Sequence, residues 1–191
     1  MNKGYNRVMS DKGKIVLGAL FVAGLFVAAI FAGQEIQNND RAKEFVASFG
    51  YIGILIVAFI GGLNLVVPIP AVTFIPVFDA AGFPIVGIIL TIAVGTTIAD
   101  LLAFYIGTLL KKQVDKSKVK MLNWLRENAI GKPKFTAFIV FLWAALSPLP
   151  NEVLLLPLGS LGTKLRTVAL PFMLGTILYV TGIAYGLSFF T

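Results

Sequence analysis

The hydrophobic pattern divides the chain into long apolar stretches separated by short polar ones. Ile15–Gly33 is an uncharged run of nineteen residues, enough to cross ~30 Å of hydrocarbon at ~1.5 Å per residue. A basic head (Lys3, Arg7, Lys12, Lys14) precedes it, as in a signal peptide. Cleavage after Gly33 or Ala32 would place Phe31 or Ile30 at the minus-three position, where a small residue is needed. A retained transmembrane helix over 15–33 is therefore expected. Residues 34–48 are polar and of mixed charge. From Phe49 to Leu110 the chain is apolar except for Asp79 and Asp100, and residues 111–134 are rich in lysine. Apolar character returns over 135–163 and 167–190.

A shift of eighty residues lays part of the sequence on itself. Pro68, Pro70, Gly82, Gly95, Thr96 and Tyr105 fall on Pro148, Pro150, Gly162, Gly175, Thr176 and Tyr185 without a gap. Each copy reads as a Pro-x-Pro turn, a short apolar piece closing on glycine, and a long apolar helix. Proline removes a backbone donor, and broken helix at membrane depth is tolerated only inside protein or beside a wet cavity. Matching interruptions in two repeats point to a transporter-like site between them.

The repeats set a topology. The piece between Pro70 and Gly82, with Pro76 inside it, spans only ~18 Å as a helix, too short for a bilayer. A re-entrant hairpin over 49–84 followed by a spanning helix over 85–110 is expected. A second hairpin over 135–163, turning at Pro148–Asn151, precedes a spanning helix over 167–190. Basic residues favour the cytoplasmic side. The 111–134 loop and the N-terminus are thus assigned to the cytoplasm and the C-terminus to the outside. The fold class is an all-α polytopic membrane protein: an inverted-topology repeat of hairpin plus helix, after an N-terminal transmembrane helix. Residues 50–67 are nearly long enough to span, so three full crossings remain an alternative. Within the loop, Met121, Leu122, Leu125 and Ala129 share one helical face, which suits either an interfacial helix or a solvated linker.

Composition narrows the chemistry. Hydrophobic residues make up 58% of 191 and charged residues 13%, a single membrane domain. There is no cysteine and no histidine, which removes thiol chemistry, the usual general base and the commonest zinc ligand. No enzyme, metal or cofactor is implied. The net charge of +7 is read as topology and lipid contact rather than nucleic-acid binding. The expected partners are membrane lipids.

Three acidic residues lie in apolar stretches, and intramembrane ionisable groups mark function by default. Glu152, two residues past Pro150, stands at the expected second hairpin tip. It is either a proton or cation site or a cap on the helix that follows. Asp100 shares a helical face with Thr96, Ala103 and Gly107, so it faces protein, as a functional group or as a structural hydrogen bond. Asp79 lies near the outer end of the first hairpin, where it is a third candidate or reaches interfacial water. The shift of eighty puts Val72 opposite Glu152, so the copies are not chemically equivalent. Lys164 and Arg166 are topological anchors or contacts for a lipid phosphate. Gly175, Tyr179, Gly182 and Gly186 form a stripe suited to close packing, within the fold or in a homo-oligomer.

The segment Gly95–Gly107, with Asp100 and Tyr105, and the segment Pro148-Leu-Pro150-Asn-Glu152 resemble the helix and the Pro-x-Pro-Gly-Glu hairpin of the DedA/VTT family of membrane proteins. The likeness covers roughly residues 45–190, with Asn151 in place of the motif's glycine. The acidic motif also stands in the second hairpin rather than the first. The arginines usual in bacterial members are missing, unless Arg166 replaces one. The resemblance implies opposed re-entrant hairpins and movement of lipids, including lipid phosphates, between leaflets of a plasma membrane with proton coupling. The expected function is such a transporter, with Glu152, Asp100 and Asp79 at the transport site and Pro68, Pro70, Pro148, Pro150 and Asn151 at the tips. A proton-coupled exporter of small cations and a non-transport assembly factor are the alternatives.

Overall fold

The computed structural model describes residues 11–63, 69–110, 120–147 and 149–187, with backbone alone at 11–19, 22, 120, 121 and 187. Among the described residues every regular element is helical. In chain order these are α1 (Asp11–Gln37), α2 (Asp40–Ser48), α3 (Gly50–Gly62), a 3₁₀ turn (Ala71–Phe74), α4 (Ile75–Ala80), α5 (Ile85–Leu109), α6 (Lys120–Asn128), α7 (Pro133–Leu146), α8 (Glu152–Ser160) and α9 (Leu165–Leu187).

Among the residues whose side chains are described, two helices, α5 and α9, are long and apolar enough to cross a membrane. Among the same residues, a third span results if α2 and α3, bent by 76° at their junction, are counted as one. The expected helix over 15–33 lies within the 27 residues of α1. Taken alone, α3 with 13 residues and α7 with 14 reach ~20 Å, short of a bilayer. The four residues Lys111 to Val114 and the remainder up to Val119 lie outside the described residues, as do the tip prolines Pro68 and Pro148.

Two apolar cores hold the molecule together. One gathers Ile54, Ala58, Ile75, Phe78, Ile88, Ile92, Val180 and Ala184; the other Phe104, Leu125, Val140, Ala144, Leu155, Leu158, Val168 and Phe172. The first half of α5 meets the last half of α9, and the reverse holds at the other end. The two long helices therefore run antiparallel. The closest partnerships are α7 with α9, α3 with α5, and α5 with α8.

The backbone repeats in detail. α4 and α8 end on the same hydrogen-bonded turn. Gly82 N–H donates to Asp79 O (2.9 Å) and Phe83 N–H to Phe78 O (3.2 Å); Gly162 N–H donates to Gly159 O (3.0 Å) and Thr163 N–H to Leu158 O (3.1 Å). Both turns place their glycine at positive φ, 91° and 78°, the geometry of a Schellman stop that a side chain would strain. Thr96 and Thr176 each donate a hydroxyl hydrogen one turn back, to Ile92 O (2.8 Å) and Phe172 O (3.0 Å). All of these pairs are eighty residues apart.

The leading arms follow a different offset. A β-carbon added to Gly95 would meet Ala58 Cβ at 2.6 Å and Leu55 O at 2.9 Å; one added to Gly175 would meet Ala144 Cβ at 2.8 Å and Phe141 O at 2.5 Å. Ala58 and Ala144, like Leu55 and Phe141, are 86 residues apart. The gapless overlay thus stops at the turns, because the first copy has six more residues than the second between its arm and its Pro-x-Pro turn.

α6 is a helix, and its apolar face is turned inward. Leu122, Leu125 and Ala129 are buried, the last two in the second core, while Trp124 is exposed. Of the glycine stripe on α9, Gly175 is packed against α7, whereas nothing lies within 4 Å of a β-carbon at Gly182 or Gly186.

Candidate functional site

A cavity of about 240 Å³ opens where Pro70 and Pro150 meet the two long helices. Its wall is built from repeat partners. Pro70 faces in with Pro150, Ala71 with Asn151, Thr96 with Thr176 and Asp100 with Val180; Gly61 and Ser147 match at the longer offset. Tight helix contact makes this convergence possible. At the α5–α8 crossing, a β-carbon on Gly107 would run into Leu156 O and one on Gly159 into Phe104 O. Only glycine allows backbone to approach so closely.

Asp100 and Asn151 are the polar groups whose repeat partners, Val180 and Ala71, are apolar. Asp100 is 0% exposed. Asn151 Nδ2 donates to its Oδ2 at 3.0 Å, while Oδ1 is buried without a hydrogen-bond partner. Asn151 occupies the N-cap position of α8 but makes no side-chain cap bond, because its amide is turned to Asp100. Glu152 follows as the first residue of α8, only 4% exposed. It stands behind the cavity wall rather than in it. Thr96 and Thr176, having given their hydrogens to carbonyls, present lone pairs. No lysine or arginine lines the cavity among the described residues, and no three acidic residues gather there as a metal site would require.

The sequence-based site is therefore divided. Asp100, Pro70, Pro150 and Asn151 come together, with Glu152 beside them. Asp79 does not join them: it is exposed and lines a second cavity of about 220 Å³ between α1, α4 and α9. Lys164 and Arg166 are not beside the carboxylates either. They line a third cavity, of about 330 Å³, with Pro133, Thr136, Thr163 and Thr167. The partnership of Asp100 with Asn151 links residues 51 apart. Its only trace in sequence is that asparagine stands where the repeat has Ala71.

Comparison with protein-family models, with curated proteins and with solved structures gives no match to this chain.

Proposed function

We propose that this chain is a membrane transporter whose central cavity carries a proton or a small cation, with Asp100 as the binding group. The observation that carries this reading is the Asp100 carboxyl: Asn151 holds one oxygen while, among the described residues, the other is buried without a hydrogen-bond partner in a cavity lined by no cationic side chain. A buried charge is costly unless paired, so a proton or cation at Oδ1 completes the site. The antiparallel α5 and α9, the matched turns and the short arms support an inverted repeat of re-entrant hairpins, in which a site between the halves is reached from either face in turn. The lysine-rich 111–134 segment supports a cytoplasmic loop in a plasma membrane.

The test uses vesicles loaded with a pH-sensitive dye. Adding a lipophilic cation to vesicles containing the wild-type chain is expected to release protons. Asp100→Asn retains an acceptor for the Asn151 amide but removes the charge, and should abolish that release at equal protein content. Release at the wild-type rate in Asp100→Asn would overturn the assignment. Absence of both proton release and lipid-phosphate translocation in wild-type vesicles would favour the assembly-factor alternative.

The lipid-phosphate reading rests on a different place. Lys164 and Arg166 offer the charge that a phosphate needs, and they border the third cavity. Translocation of a fluorescent lipid phosphate that is lost in a Lys164→Gln, Arg166→Gln double variant, with proton release intact, would establish it there.

A further inference from the structure

The second cavity lies where the repeat partners depart furthest from one another. Gly159 allows α8 to touch α5, but its equivalent in α4 is Asp79, and α4 packs against α1 instead of closing on α9. The α1–α4 contact is tight: a β-carbon on Gly33 would meet Pro76 O at 2.9 Å. Between this contact and the end of α9 remains the cavity of about 220 Å³, whose polar lining is Gln34, Gln37, Asp79 and Tyr185. Asp79 makes no side-chain hydrogen bond or ion pair with any described residue. The Lys43 stem crosses the adjoining turn, its Cε 3.7 Å from where a β-carbon on Gly82 would sit. Phe45 on α2 and Phe49 at its C-cap stack edge to face at 5.1 Å and are 66% and 55% exposed.

We infer that this cavity binds the head group of a zwitterionic amino-phospholipid. It combines one carboxylate with two carboxamides, and these acceptors suit a primary ammonium with three N–H donors. A cation lies one turn away for the adjacent phosphate. The place is right for a lipid rather than a solute. Gln34 is the first polar residue after the apolar run ending at Gly33, which sets the cavity at the head-group boundary. Phe45 and Phe49, in and just past α2, which touches α4, are exposed, apolar side chains of the kind that anchor in lipid. A choline head group, with methyls in place of N–H donors, is excluded from the same bonds. The site is separate from the Asp100 cavity and does not depend on its role.

The test is lipid retention by the purified full chain. Phosphatidylethanolamine, phosphatidylcholine and soluble phosphoethanolamine are titrated and the adducts counted by native mass spectrometry. Wild type should retain phosphatidylethanolamine over phosphatidylcholine by about tenfold or more, the scale of one charge-assisted hydrogen bond. Asp79→Asn should erase that preference with the melting temperature in detergent unchanged. Lys43→Gln should weaken both lipids alike. Equal retention of the two lipids by wild type, or an undiminished preference in Asp79→Asn, would overturn the inference. Binding of soluble phosphoethanolamine as tight as that of the lipid would overturn its lipid source.

Discussion

In one core Val72 and Val180 pack with Ile54, Ile75 and Ile92; at the matching positions around the other core stand Glu152 and Asp100. Elsewhere the two cores mirror each other. Ile54 answers Val140, Ile75 answers Leu155, Phe78 answers Leu158, Ile88 answers Val168 and Ile92 answers Phe172. Apolar partners can exchange size and shape because burial is non-directional and roughly proportional to area. The carboxylates cannot be exchanged for valine in the same way, since each needs a partner at a fixed distance. A nearly symmetric scaffold thus holds an asymmetric set of polar groups, and these stand where the two copies depart from one another.

The strongest way to break the comparison is at the glycine crossing, which only one copy possesses. Gly159→Val would drive a side chain into Phe104 O. Because backbone cannot turn aside, the cost should reach the top of the ~1–3 kcal/mol range for overpacking, or exceed it. Size-exclusion chromatography in detergent should show the folded peak lost. Its counterpart Asp79→Val should keep that peak.

The next largest effect sharpens the difference between the two cores. Asp100→Val copies Val180 but strands the Asn151 amide, a loss of ~1–3 kcal/mol. Adding Asn151→Ala, which copies Ala71, should recover most of that stability in denaturant titrations. Proton release should be absent from both variants. Stability that does not recover would mean that the two halves are not interchangeable in packing.

Smaller still are the turns, where the copies agree. Gly82→Ala and Gly162→Ala should each cost about 1 kcal/mol, because both glycines hold positive φ. Similar shifts in thermal melting check the equivalence. At the weak end, Gly182→Ala enters open space and should leave stability unchanged or raise it by up to ~1 kcal/mol.

Much of this architecture was legible because proline and glycine act locally. Gly82 and Gly162 mark helix stops whatever surrounds them, and Gly95 and Gly175 mark close approaches, so the shift of eighty located the turns and both long helices. The leading arms were not legible in that way. Ile54 with Val140 and Ala58 with Ala144 align only at 86, and apolar residues on a short arm look alike at several registers. The added residues fall in the connection before the turn, where no periodicity records them. Asp100 was recognisable as protein-facing from Thr96, Ala103 and Gly107. Its bond to Asn151 was not, since it depends on how α8 is seated on α5. The same seating explains why Glu152, one residue further on, stands behind the cavity, and why Lys164 and Arg166, beyond α8, open onto a different one.

The glycine contact between α5 and α8 also has a mechanical meaning. Where backbone rests on backbone there is no flexible side chain to yield, so these two helices act as one stiff strut. At the opposite end α4 leans on α1 through the Gly33–Pro76 contact, and a cavity separates it from α9. The elastic give of the molecule is gathered there. A sideways load on the helices therefore displaces α1 and α4 before it parts α5 from α8, and the end carrying Asp79 yields first.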